Sequence, residues 1–221
     1  MTNEYQDSRG KRIRDYLHAS IAVDTVALTY DINEGLLVLE VLQPNRTDWA
    51  LPGTFLHEGE LLADAVQRSL KTKAGVFGLT PRQLQVFDAL ERDKRDRVLS
   101  VAHVSVVPPE ALAARFPDTT RLVPADKPGS LPFDHNEMID LAVRELRERY
   151  ARGPDPDHLL GEVFTLRQLR MVHMAVKGDN PDAVETFRRK MLLSLKKAGG
   201  LDTDGPGRPA QRFRRKSVLE C

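Results

Sequence analysis

Five side chains in this 221-residue chain have types and spacing that could do phosphate chemistry: Glu60, Arg68, Ser69, Thr72 and Lys73. Side chains three and four residues apart meet on one face of a helix, so Ser69, Thr72 and Lys73 cluster if residues 61–73 are helical. Carboxylates at that spacing would hold magnesium, a hard cation that takes oxygen ligands and keeps several waters beside substrate phosphates. Two neutral hydroxyls and an ammonium oppose it, because Lys73 puts positive charge where a dication would sit. The expectation from these residue types is a polar helix face with no metal ligand and no catalytic residue.

A second concentration of charge lies towards the C-terminal end. Between positions 187 and 216 ten cations (Arg188, Arg189, Lys190, Lys196, Lys197, Arg208, Arg212, Arg214, Arg215 and Lys216) face two acids, Asp202 and Asp204. The whole chain has a net charge of only +1, so the distribution carries the signal. Such cations give sequence-tolerant affinity for the phosphate backbone, and side chains on a recognition helix read base edges. Arg188, Arg189, Lys190, Arg208 and Arg212 are therefore the candidate DNA-binding residues. A merely solvated charged face is the alternative.

Two further residues are candidates for a small-molecule pocket. Trp49, the single tryptophan, stands beside Leu51-Pro52-Gly53 and is either a pocket wall or core filling. Arg95 belongs to the charged run ERDKRDR with Arg92 and Arg97, where a guanidinium can pair bidentately with phosphate. Asp134 is expected to cap a following helix and His135 to make a structural hydrogen bond. No His, Cys and Asp grouping has structural-zinc spacing.

The elements that must position these groups follow from periodicity. Residues 19–30 alternate apolar and polar with β-branched residues, and 36–42 return as a second strand after a turn at 31–35. The spacing predicts a helix over 61–73, closed by Gly75, further strands at 83–88 and 98–107, and a long amphipathic helix within 131–150. The segment 152–157 (RGPDPD) combines glycine, prolines and charge, and is expected to be a linker. Beyond it come a helix at 166–176, a second from Pro181 to about Lys197 stopped by Gly199-Gly200, and a hairpin with a Gly-Pro-Gly turn. Two helices and a basic hairpin make a winged helix-turn-helix. The only cysteine is Cys221, no run is long enough to cross a bilayer, and residues 1–16 lack an apolar signal core, so a reducing, cytoplasmic setting is expected.

Residues 51–76, LPGTFLHEGELLADAVQRSLKTKAGV, resemble the Nudix box: Gly, five residues, Glu, seven residues, then Arg-Glu-aliphatic-x-Glu-Glu-x-Gly-aliphatic. Glu60, Arg68, Leu70, Gly75 and Val76 match; the opening glycine falls on Thr54, and the three later glutamates fall on Ser69, Thr72 and Lys73. With LPFDH at 131–135 and FTLRQLRMVHMAVKG, TFRRKML and GRPAQRFR further on, the chain resembles the Nudix-related regulators of NAD metabolism, the NrtR family. The resemblance implies an α+β protein: a Nudix-like α/β/α sandwich with a mixed sheet over residues 1–151, then a winged helix-turn-helix domain over 158–216. It also implies a homodimeric repressor that binds double-stranded operator DNA and senses ADP-ribose or a related nucleotide, with no required cofactor and no membrane. The replaced glutamates fit a sensor. A hydrolase of ADP-ribose or a related nucleoside diphosphate with a rearranged metal site is the alternative.

Overall fold

The alternating run near the N-terminus becomes the spine of the molecule because its two faces bury different partners. In the computed structural model, which describes residues 6–44, 47–178, 182–202 and 209–216, β1 (Ser20–Asp31) pairs antiparallel with β2 (Gly35–Leu42) and parallel with β6 (Val98–Val106). β5 (Arg82–Phe87) extends the sheet beyond β6, while β3 (Trp49–Ala50) and β7 (Thr120–Pro124) pair with β2, and β4 (Gly53–Phe55) pairs with β1. The result is a seven-stranded mixed sheet.

A strand's side chains alternate between faces with a period of two. Val26, Leu28, Tyr30, Leu36 and Val38 accordingly join one buried cluster with α2 (His135–Arg152), while Val23, Ala27, Leu39 and Val41 join another with α1 (Leu62–Ser69). Helices therefore cover both faces, an α/β/α sandwich. Ala65, Val66 and Ser69 form the buried stripe of α1, which then widens into a π turn over Leu70–Ala74 and ends on Gly75 at φ 69°. A Cβ at Gly75 would lie 2.8 Å from the Phe116 ring, so glycine is required there both for its left-handed backbone and for its size.

The C-terminal elements are β8 (Phe164–Thr165), α3 (Leu166–Lys177), α4 (Val184–Leu192), β9 (Leu195–Asp202) and β10 (Ala210–Arg215), with a small sheet in the order β8-β10-β9. α3 starts where Thr165 and Gln168 form a reciprocal capping box, the Thr165 hydroxyl accepting from the Gln168 N–H at 3.2 Å and the Gln168 side-chain Oε1 accepting from the Thr165 N–H at 2.7 Å. Phe164, Leu169, Phe187, Met191, Leu195 and Phe213 close the core of this unit. Full burial of such side chains contributes roughly 1.5–3 kcal/mol each.

Several expectations need correction. The long helix expected within 131–150 runs on to Arg152; it starts at His135 with Asp134 in the N-cap position, after Phe133 at φ 56°. α4 stops at Leu192, short of position 197, and Gly199 and Gly200 lie within β9. There Lys196 and Lys197 pair with Arg214 and Phe213 of β10, so strand pairing wins over helix continuation. Pro181 and the Gly-Pro-Gly turn lie outside the described residues. The segment read as a linker is built into the fold: Asp155 is fully buried, accepting hydrogen bonds from Tyr150 Oη (2.5 Å), the Leu159 N–H (3.0 Å) and the Leu160 N–H (2.9 Å), and pairing with Arg215. Tyr150, Leu159, Val172 and Val176 share one buried cluster with the sheet. α2 therefore packs on the sheet and on α3.

Candidate functional site

Asp24 is a buried charged residue of β1, and its surroundings explain why it is tolerated. Ser100 Oγ donates to it at 2.6 Å, His135 Nε2 stands 3.4 Å away and Arg92 Nη2 3.9 Å away. Burial alone would raise this carboxyl; His135, Ser100 and Arg92 outweigh burial and hold it below its ordinary value. His135 Nδ1 accepts from the Leu51 N–H at 3.1 Å, which leaves the ring proton on Nε2, facing Asp24. The expected side-chain cap at Asp134 is absent; its carboxylate instead accepts from Arg92 Nε at 2.7 Å. That contact anchors the start of α2 to the loop between β5 and β6.

These groups border a cleft of about 220 Å³ lined by Asp24, Gly53, Phe55, Lys73, Arg92, Arg95 and Phe133, among others. Arg95 reaches its mouth, 67% exposed, held by Asp93 at 2.7 Å, with its guanidinium 5.8 Å from the Phe55 ring centre and 5.6 Å from that of Phe133. The Arg95 hydrogen bonds keep the Asp93 carboxyl below its usual value. Arg97 is occupied elsewhere, donating to the carbonyls of Asp88 and Ala89. Trp49 is not among the lining residues: its ring lies half-buried under Arg121, 4.3 Å from the guanidinium, which also pairs with the buried Glu40. Burial pushes the Glu40 carboxyl up, and Arg121 opposes the shift.

The helix that resembles the Nudix box offers a donor set that does not fit magnesium. Glu60 is committed to Arg68, Oε1 to Nε at 2.7 Å and Oε2 to Nη2 at 2.8 Å, and it also accepts from the His57 N–H. This clamp depresses its pKa to about 2. Arg68 further ties down Thr54 and the Phe55 carbonyl, so Glu60 and Arg68 brace β4 against α1. Ser69 Oγ is buried with no hydrogen-bond partner among the described residues, and Thr72 Oγ1 donates to the Arg68 carbonyl. Lys73 bonds the Gly53 carbonyl, adding positive charge rather than an anionic oxygen.

At the other end, Phe187 and Met191 point inward from α4. At 3.6 residues per turn, Arg189 lies about 160° around the helix from both, whereas Arg188 and Lys190 flank the buried side. All three are exposed; Arg188 lies 3.6 Å from Glu185, and Lys190 is tied to Asp182 at 3.1 Å. Arg212, on β10, reaches to within 3.9 Å of Asp202. Arg208 lies outside the described residues. Arg215 is spent internally, on Asp155, on the carbonyls of Asp155, Leu160 and Gly161, and over the Phe164 ring. His173 of α3 bridges the halves, edge-on to Tyr150 at 5.1 Å and to Phe187 at 5.0 Å, with Nε2 on the Pro154 carbonyl. Burial lowers its pKa.

Sequence reasoning missed Asp24, Ser100, Phe133 and Asp155. Only Asp24 had a local signal, an acid at a strand position where an apolar residue was due.

An α/β/α sandwich carrying a Nudix-box helix, joined to a winged helix-turn-helix, defines a class of two-module protein, and comparison with known proteins narrows it. Residues 156–214 match the family described as the NrtR DNA-binding winged helix domain. The ADP-ribose pyrophosphatase of Methanocaldococcus jannaschii is 31% identical over 130 residues, 58% of this chain and 76% of that protein. The ADPR responsive transcriptional repressor NtrR of Acinetobacter baylyi is 25% identical over 191 residues, 81% of this chain and 75% of that one. Shewanella oneidensis NrtR, crystallised with a 27mer DNA, superposes with a TM-score of 0.74 at 29% identity, covering 89% of this chain and 93% of that one. Its Nudix domain, crystallised with ADP ribose, superposes with a TM-score of 0.52 at 26% identity, covering 62% of this chain and 95% of that one. The chain belongs to the NrtR family. No helix among the described residues is long and apolar enough to cross a membrane.

Proposed function

We propose that this protein is a dimeric, cytoplasmic, sequence-specific repressor of NAD-metabolism genes whose Nudix-like domain binds ADP-ribose or a related nucleotide without hydrolysing it. The observation that carries this reading is the placement of α2. Its first turn is tied to the cleft through Arg92 and Asp134, and its last turn reaches the winged unit through Tyr150, Asp155 and Arg215. One packed helix of 18 residues thus runs from the cleft to the base of the winged unit. A nucleotide that shifts the Arg92 loop would move the base of α2, and the winged unit with it. Such a ligand regulates only if it binds the DNA-competent and incompetent states with different affinity, and the coupling must then be reciprocal.

Arg188, Arg189, Lys190, Arg208 and Arg212 form the proposed DNA-binding set, and the proposed effector contacts are Arg95 in the cleft and Trp49 beside it. The domains are taken as residues 1–151 and 158–216. A dimer would present two winged units to half-sites separated by about one helical turn or a multiple of it. Fluorescence anisotropy with duplex from the protein's own upstream region, with and without ADP-ribose, tests the proposal directly. Saturating ADP-ribose should change the DNA dissociation constant severalfold; an unchanged constant would remove the sensor.

Hydrolysis is the second reading, favoured by the archaeal pyrophosphatase relative. Incubation of ADP-ribose with magnesium or manganese decides it: turnover of about one per second, abolished in Glu60→Gln, would establish an enzyme.

A further inference from the structure

The mismatch between the cleft and a magnesium ion has a counterpart in a cation that lines it. Resting on the nucleotide-binding reading above, we propose that Lys73 is the resident cation of the cleft and binds the diphosphate of the nucleotide directly, so that binding needs no metal ion.

Three features of the structure converge on this. The first is placement. The π turn over Leu70–Ala74 widens the end of α1 and brings Lys73 into the cleft lining, a distortion often found at functional sites. Gly75 beyond it ends the turn by taking the left-handed conformation at φ 69°. The ammonium is steered by one bond to the carbonyl of Gly53, which β4 holds opposite Asp24 of β1 and where a Cβ would fall 1.8 Å from Asp24 Oδ1. An ammonium has further donors free for ligand oxygens.

The second is charge. The cleft's other cations are already matched, Arg92 by Asp134 and Arg95 by Asp93. None of the described carboxylates lies within ion-pair distance of Lys73, although Asp24 is close enough to act on it through space. Asp24 is engaged with Ser100, His135 and Arg92. Burying a charge without a partner is costly, and burial does push the Lys73 ammonium down from its usual value. An anionic ligand is the partner that would reverse this.

The third is the surrounding chemistry. Arg95 at the mouth gives its Nε and Nη2 edge to Asp93 and turns the rest of its exposed guanidinium to the cleft, where it can meet a second phosphate, and the exposed Phe55 and Phe133 rings beside it offer apolar faces to the rest of a nucleotide.

The experiment is calorimetric titration of ADP-ribose into the full chain, once with EDTA and once with excess magnesium. Equal affinity in the two buffers is expected. Lys73→Met should weaken binding by about tenfold to a hundredfold, the loss of a charge-assisted contact, with a melting temperature no lower than wild type. Lys73→Arg should recover part of the affinity, and Lys73→Glu should abolish binding in EDTA. Wild-type binding only in magnesium, or full affinity in Lys73→Met, would overturn the inference and leave the sensor reading standing. A wild-type protein that binds in neither buffer would overturn both.

Discussion

The inner wall of the cleft and the proposed DNA-binding face are both built from cations, yet they hold them in opposite ways. In the cleft Arg92 is 3% exposed and fixed by Asp134, with the Asp24, Ser100 and His135 group behind it. On α4 Arg188 and Lys190 are each 56% exposed, and their partners Glu185 and Asp182 are themselves accessible at 81% and 29%. Exposed pairs of this kind are worth about 0–1 kcal/mol and are screened by salt, so a phosphate backbone displaces them readily. The buried arrangement can select one ligand by geometry; the exposed one tolerates many duplexes and leaves discrimination to the few side chains that reach base edges.

The comparison can be broken most forcefully at the joint between the two regions. Asp155→Ala removes the acceptor for Tyr150, Leu159 and Leu160 and leaves the Arg215 guanidinium without its carboxylate. Deleting one partner of a buried pair costs about 3–5 kcal/mol. Urea denaturation should show that loss, and DNA binding should fall with it. A change below about 1 kcal/mol would mean that the two modules do not depend on this joint.

The next effects belong to the exposed face. Arg189 is opposite the buried stripe of α4, so Arg189→Ala should cost about 1–3 kcal/mol of specific affinity and relax preference at one operator position. Lys190→Ala should cost less, since its ammonium is turned back towards Asp182. Arg212→Ala should weaken binding to specific and scrambled duplexes alike and reduce the salt slope by about 0.9. Anisotropy at two salt concentrations measures all three. Wild-type affinity after replacing Arg188, Arg189 and Lys190 together by alanine would refute α4 as the recognition helix.

How much of this could be read from the chain differs between the regions for the same physical reason. Local pattern set out β1, β2, α1 and α3 almost residue by residue, the strands as apolar and β-branched runs buried on both faces and the helices through one buried stripe each. The Nudix-box departures were also local and legible. Asp155 was not: proline, glycine and charge in RGPDPD suggest a loose segment, and only the return of Arg215, 60 residues later, turns it into a buried hub. The Asp24 group fails similarly, since Ser100 and His135 are distant in sequence and meet only through the parallel β1–β6 pairing and the start of α2. β7 escaped notice as well; its five residues gain strand identity from pairing with β2. Sites assembled by topology leave weak local traces, while surfaces that simply display charge leave strong ones.

The smallest expected effect sharpens the contrast from the cleft side. Glu60 is depressed from 4.5 to about 2, chiefly by its hydrogen bonds from Arg68 and then from the His57 N–H. A carboxyl whose folded pKa lies below its unfolded value contributes stability above the unfolded value and loses it as pH falls through the folded one. The urea midpoint of Glu60→Gln should therefore lie slightly below wild type by a constant amount from pH 7 to about 5. The gap should shrink as pH falls from 4.5 towards about 2 and vanish below that. Because Arg68 also holds Thr54 and the Phe55 carbonyl, the same variant should loosen β4 and reduce hydrogen-exchange protection at Phe55 and Leu56. A gap that persists unchanged at pH 2 would show that the carboxylate's charge is irrelevant. Glu60 would then serve only as a neutral hydrogen-bonding brace.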